Sequence, residues 1–163
     1  MTIEDLNSLE CAQFVEAISW VFEHSPWVAE RAWEARPFAS VEGLHRAMVD
    51  QVERGSTKEQ LALLRAHPDL GTRARVSEAS SAEQAGAGLD QLTPAEFERL
   101  RGLNEVYRGK FGFPFLLAVK GSTKHDILDA LERRVLSSRE EEYRVALEQV
   151  YRIARFRLED IVS

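Results

Sequence analysis

The stretch Ser56-Thr57-Lys58-Glu59-Gln60-Leu61-Ala62-Leu63-Leu64-Arg65-Ala66-His67-Pro68-Asp69-Leu70-Gly71 holds a helix start, an apolar face and a forced stop. Ser56 and Glu59 have the capping-box spacing, in which a hydroxyl receives the N–H three residues on and a carboxylate reaches back. Leu61, Leu63 and Leu64 supply the inward face. Pro68 has no backbone N–H and biases the residue before it away from the α region. The helix is therefore predicted to end at about Ala66, with His67 leaving it in an extended conformation. An imidazole with an ordinary pKa near ~6.5 is the side chain best poised to move a proton at neutral pH. The alternative is a histidine that only hydrogen-bonds a carbonyl at a helix end, and the tripeptide alone leaves both open.

The same punctuation recurs along the chain. Asn7 with Glu10 is read as the start of a helix carrying Phe14, Val15, Ile18, Val21 and Phe22 at helical spacing. Ser25-Pro26 places a cap before a first-turn proline, for a helix running to about Arg36. Ser40 caps a helix with Val41, Leu44, Met48 and Val52. Gly71 to Ala79 is irregular, after which Ser80 with Glu83 repeats the capping-box spacing. Thr93-Pro94-Ala95-Glu96 joins cap, proline and box, and its helix carries Leu100, Leu103, Tyr107 and Phe111 before Gly112. A further helix holds Ile127, Leu128, Leu131 and Val135. The last begins at Ser138 with Glu141 and turns Tyr143, Leu147, Val150, Ala154, Leu158 and Ile161 inward. No β-type alternation competes, so the pattern predicts a single-domain, all-α bundle of about eight helices over residues 1–163.

Gly112-Phe113-Pro114-Phe115-Leu116-Leu117-Ala118-Val119-Lys120-Gly121 breaks this rule, being apolar, proline-interrupted and bracketed by glycines. It reads as a short extended segment with no strand to pair with. If buried, each unpartnered peptide group costs about 1–3 kcal/mol. Helix ends, side chains or water can satisfy them, and so can a ligand rich in amide-like groups.

Composition narrows the class. Hydrophobic residues at 44% and charged residues at 29% over 163 positions fit a soluble globular protein able to build a core without staples. A formal net charge of −6 argues against nucleic-acid binding, which needs a basic surface. The lone cysteine, Cys11, cannot form an internal disulfide, and its apolar helical context reads as a small core residue. No apolar run approaches a membrane span, Met1 to Asp5 lack the order of a signal peptide, and the C-terminus is not a peroxisomal address. The default expectation is a cytoplasmic protein.

Three segments taken together resemble one family. His67-Pro68-Asp69-Leu70 comes first, then Ser80-Ser81-Ala82-Glu83-Gln84 leading into Ala85-Gly86-Ala87-Gly88-Leu89. Leu103-Asn104 follows, running through Tyr107 to Phe111-Gly112-Phe113-Pro114-Phe115. Arg36-Pro37-Phe38 and Ile153-Ala154-Arg155-Phe156-Arg157-Leu158 are weaker flanking marks. In this order and spacing the chain resembles the 2-oxo-4-hydroxy-4-carboxy-5-ureidoimidazoline (OHCU) decarboxylases. Its connection after His67 is shorter than in many members, and Gly71 stands where alanine is common.

The resemblance implies an all-helical enzyme of uric acid breakdown that converts OHCU, the product of 5-hydroxyisourate hydrolysis, to (S)-allantoin. It implies no metal or organic cofactor, a homodimer, and functional coupling to an upstream 5-hydroxyisourate hydrolase. His67 matches the family's proton donor. Pro68, Ser80, Ser81, Ala82, Glu83, Gln84, Phe115, Leu116, Leu117, Ala118 and Val119 match its substrate contacts, and Arg157 matches an arginine near its C-terminal end. Glu83 could orient the imidazole and favour its charged form, or serve only as the helix cap read above. Arg157 offers a planar fork suited to a carboxylate, or is one solvated arginine among Arg144, Arg152 and Arg155.

Other readings compete. His-Pro-Asp also marks J-domain co-chaperones, but the helix before it has only Lys58 and Arg65 against Glu59, not a strongly basic face. A metal site from His67, Asp69 and Glu83 lacks the two-histidine helical spacing of common zinc enzymes. A third reading keeps the fold and changes the substrate to a related ureide.

Overall fold

The computed structural model describes residues 1–71 and 77–163; the connection read above as irregular thus lies partly outside the described residues. Those residues form nine α-helices and two 3-10 turns, and no strand occurs among them. The chain divides into two compact units, one of residues 1–66 with 150–163 and one of residues 67–149.

The first unit holds α1 (Ile3–Asn7), α2 (Cys11–Ile18), α3 (Trp27–Ala32), α4 (Val41–Glu53), α5 (Thr57–Arg65) and the end of α9 (Arg139–Ile161). Three-residue 3-10 turns follow α2 and α3. The helix α1 was not expected; Thr2 and Asp5 cap it reciprocally, at 2.9 and 3.1 Å. Asn7 is accordingly not the cap of the next helix, which Glu10 opens with Gln13. Its carboxamide instead clasps the backbone of Phe38 in both directions, at 2.9 and 2.8 Å. Arg36 stacks on Trp33 and donates to the carbonyls of Asn7 and Leu9, so Arg36-Pro37-Phe38 ties a loop to the end of α1. Leu6, Phe14, Ile18, Val28, Leu44, Met48, Val52, Leu63, Leu64 and Leu158 are fully buried and make this unit's core. Cys11, the first residue of α2, is half-buried rather than a core residue.

The second unit holds α6 (Glu78–Gly86), α7 (Pro94–Phe111), α8 (Lys124–Arg134) and the beginning of α9. The Thr93–Glu96 box forms as read, at 2.9 and 3.1 Å, and α7 ends where Gly112 adopts φ 79°, a left-handed conformation that glycine takes without a Cβ penalty. Thr123 and Asp126 cap α8. Ser138 caps α9 through the N–H of Glu141.

Tyr107, Phe111, Phe113 and Phe115 form a buried aromatic cluster. Tyr107 meets Phe111 at 4.5 Å and Phe115 edge-on at 5.4 Å between ring centroids. Such pairs contribute about 0.5–1.5 kcal/mol each beyond area burial. Residues 114–119 carry neither helix nor ladder, and no strand among the described residues is there to pair with them, as the sequence predicts.

Candidate functional site

The capping box at Ser56 and Glu59 starts α5, and the helix stops at Arg65 with Ala66 as its last cap. Pro68 forces that stop. His67 follows with 5% of its surface exposed, so the imidazole is buried, not a surface feature.

Each of the next three residues after Pro68 is held by a different side chain. Asp69 pairs with Arg108 at 3.0 Å. The Leu70 carbonyl accepts from Asn104 Nδ2 at 3.0 Å, and the Gly71 N–H donates to Gln84 Oε1 at 2.9 Å. Helices α6 and α7 thus fix the chain just beyond His67. Asn104 belongs to the Leu103-Asn104 motif, to which the sequence alone assigns no role. Its signal was present: with Leu100, Tyr107 and Phe111 it lies on the apolar face of α7, where a buried amide needs a partner.

In α6 the expectation fails in one respect. Ser77, not Ser80, is the cap, and its hydroxyl accepts the Ser80 N–H at 3.1 Å. Ser80 and Gln84 are then one turn apart on the buried face, Glu83 is half-buried, and Ser81 and Ala82 are exposed. Glu83 lies in the body of the helix and does not serve as the partner of a capping box. The physical reason is that Ser77 also stands three residues before a competent N–H, so the serine-rich run offers two registers and the chain takes the earlier.

A cleft of about 590 Å³ is lined by Gly71, Ser81, Gln84, Leu89, Leu92, Phe97 and Glu98, among others. Of the candidate residues it includes Ser81 and Gln84; His67 is not part of its described lining.

The extended segment is buried at Phe115, Leu116, Ala118 and Val119, with Leu117 half-exposed. Two of its peptide groups are met by side chains: Arg134 Nη1 donates to the Leu116 carbonyl at 2.6 Å, and the Ala118 N–H donates to Gln149 Oε1 at 2.9 Å. The side-chain explanation for a buried unpaired backbone holds at these two groups. Arg134 also lies over the Phe115 ring at 4.4 Å and donates from Nε to Glu142 Oε1 at 2.8 Å. The Tyr107 hydroxyl donates to the same oxygen at 2.6 Å. Burial, reinforced by its hydrogen bond to Glu142, pushes the Tyr107 phenol well above its usual range. Sequence reading missed Arg134, Glu142 and Gln149. The unladdered segment signalled that partners must exist, without signalling which.

Arg157 lies in the first unit, in α9. Its Nη2 meets Glu23 Oε2 at 3.0 Å with both side chains 2% exposed, and its Nη1 donates to the Trp20 carbonyl at 3.1 Å. It is a buried, paired arginine, not a solvated one. Pro68, the Ser80–Gln84 run and the Phe115–Val119 run all belong to the second unit with His67. Among the described residues no group of three or more His, Cys, Asp or Glu could hold a metal ion. No helix among them is long and apolar enough to cross a membrane.

An all-helical chain with a clasped histidine loop and a buried extended segment can now be set beside known proteins. Residues 7–159 match the OHCU decarboxylase family. The chain belongs to that family. It is 49% identical over 163 residues to the 2-oxo-4-hydroxy-4-carboxy-5-ureidoimidazoline decarboxylase of Haloferax volcanii, covering all of this chain and 97% of that one. The protein of the same description from Halalkalicoccus jeotgali is 48% identical over 99% of this chain and 92% of its own. The chain is also 47% identical to the uric acid degradation bifunctional protein PucL of Bacillus subtilis, spanning 33% of its length. Among solved structures, that of an (S)-allantoin synthase superposes with a TM-score of 0.83 at 37% identity, over 99% of this chain and 54% of that one. The family match covers the chain and displaces the J-domain reading.

Proposed function

We propose that this chain acts as one catalytic domain over residues 1–163, decarboxylating OHCU to (S)-allantoin with His67 as proton donor. The observation that carries this is a buried histidine after which Asp69, Leu70 and Gly71 are each held by a separate side chain. A proton donor must keep its position through the reaction, and clasping the loop that follows it does that.

The substrate explains why its carboxylate leaves readily. It sits on a carbon that also bears a hydroxyl and adjoins a C=N bond. As carbon dioxide departs, the freed pair forms a C=C bond to the ureido-bearing carbon while the imine pair moves onto nitrogen, which takes a proton. The hydroxyl then becomes the ring carbonyl by giving up its proton, and the ureido-bearing carbon receives one from His67. The substrate thus supplies its own electron sink, and the reading requires no metal or organic cofactor. Placing the donor on one face makes a single enantiomer.

Glu83 is assigned to orienting the imidazole and favouring its charged form. With its oxygen committed to Gly71, Gln84 would offer substrate its amide donors, and Phe115–Val119 would offer backbone groups. Pro68 and the Ser80–Ala82 turn complete the set. The carboxylate-binding role that the resemblance gives Arg157 competes with its present contacts to Glu23 and to the Trp20 and Val21 carbonyls. The reading includes a cytoplasmic homodimer coupled to an upstream 5-hydroxyisourate hydrolase, a coupling supported by the bifunctional Bacillus subtilis relative.

Freshly generated OHCU, followed by circular dichroism, tests the function. Rapid appearance of one enantiomer is expected, where the uncatalysed reaction gives a slow racemate. Racemic product at the uncatalysed rate would refute the proposal. Prolonged treatment with EDTA should leave the rate unchanged; a loss restored by one divalent ion would overturn the cofactor-free mechanism.

A further inference from the structure

We propose that Arg134 and Gln149 are positioning residues, forming a two-point splint that sets the backbone of Phe115–Val119 for substrate binding. The inference rests on the reading of that segment as a substrate contact and names what holds it in register. A strand inside a sheet gets its register from a ladder; this segment has none. Its carbonyl at Leu116 and its N–H at Ala118 are instead fixed by one side chain from the end of α8 and one from α9. The half-exposed Leu117 lies between the two anchors, so both fix the orientation of the peptide groups flanking it.

Arg134 is itself rigidly placed. Glu142, 1% exposed, holds its Nε, and Tyr107 donates to the same carboxylate oxygen while packing edge-on against Phe115. Arginine, carboxylate, phenol and phenylalanine therefore close a ring around one end of the segment. The planar fork is essential to this arrangement, because one guanidinium serves a carboxylate through Nε and a carbonyl through Nη1. A lysine would keep the charge beside Glu142 but, as a point donor on a flexible stem, would not hold both groups in one geometry.

The test compares Arg134→Lys and Gln149→Met with Thr123→Ala, which removes the cap of α8 at its far end and perturbs stability alone. Steady-state kinetics with OHCU are measured together with Tm and the hydrogen-exchange rate of the Ala118 amide. Both splint variants should raise KM about tenfold while kcat changes much less, as expected for loss of binding common to ground and transition states. The Ala118 amide should exchange faster in both, and Thr123→Ala should show neither effect. A KM within twofold of wild type in Gln149→Met, or in a folded Arg134→Lys, overturns the splint. If Arg134→Lys does not fold, Gln149→Met decides by the same criterion. Wild-type protein without activity on OHCU would instead sink the functional reading, and exchange at Ala118 would still judge the splint: an unchanged rate in Gln149→Met refutes it.

Discussion

The side-chain oxygen of Gln84 accepts the backbone N–H of Gly71 at 2.9 Å, so one residue of the candidate substrate set already holds the loop that follows the candidate proton donor. Gln84→Glu separates the two tasks. A carboxylate still accepts the Gly71 N–H but offers no donor to a ureide. The expected outcome is a Tm near wild type with kcat/KM reduced on the order of tenfold, the worth of about 1.4 kcal/mol. A lowered Tm with unchanged kcat/KM would make Gln84 a clasp only.

His67→Ala should lower decarboxylation by about 10²- to 10⁴-fold, the usual contribution of a positioned acid. The loop is clasped at Asp69, Leu70 and Gly71 independently of the ring, so the variant should fold. Product configuration is the sharper readout. Residual product should be close to racemic, and a variant that retains both rate and configuration would remove His67 from the chemistry.

Glu83→Gln should reduce the rate at least about tenfold, and because Ser77 caps α6 the variant should keep the start of that helix. Rate and thermal stability are measured on one preparation. A wild-type rate would exclude Glu83 from orienting the imidazole.

Arg157→Met removes the guanidinium that Glu23 meets at 3.0 Å, both side chains being 2% exposed. Breaking a buried pair in this way costs about 3–5 kcal/mol, and the double variant Glu23→Gln with Arg157→Met should recover part of it. Urea denaturation reads both. Full stability with lost activity would show instead that Arg157 serves the substrate carboxylate more than the fold.

Two half-buried carboxyls contribute to the acid limb of stability. The guanidinium of Arg31 on Glu59 and the ammonium of Lys124 on Glu96 hold both at about 2, below the ~4.3 of a free glutamate. Between those values the folded chain binds fewer protons than the unfolded one. Their contribution is therefore complete above about pH 4.3 and is lost as the pH falls toward 2. Tm measured across that window should decline less steeply in Glu59→Gln and Glu96→Gln, and added salt should shrink the difference. Slopes identical to wild type would show that neither pair contributes.

Local chemistry was legible in the sequence and distant chemistry was not. The boxes at Ser56–Glu59 and Thr93–Glu96, the stop before Pro68 and the turn at Gly112 depend on residues within one helical turn, and all stand where the sequence puts them. Ser80 was misread as a cap because an equally good serine precedes it at the same spacing. Asn7 was misread because its partner, Phe38, is remote in sequence. The same distance hid Arg134 and Gln149, whose partners lie 18 and 31 residues away. The family motifs brought out Gln84 and the extended segment; they gave no hint that protein groups already engage both.

Gly71 adopts φ 73°, and a Cβ built there would lie 2.4 Å from Leu100 Cδ2. An alanine in its place would meet both an unfavourable backbone and the Leu100 side chain on α7. The loop after His67 is therefore not an interchangeable part. Alanine at position 71 would displace the end of the Leu100 side chain, and the left-handed φ would stay unfavourable wherever that side chain moved. Gly71 and Leu100, 29 positions apart in the chain, constrain each other: the missing Cβ of the one leaves the space that the side chain of the other fills.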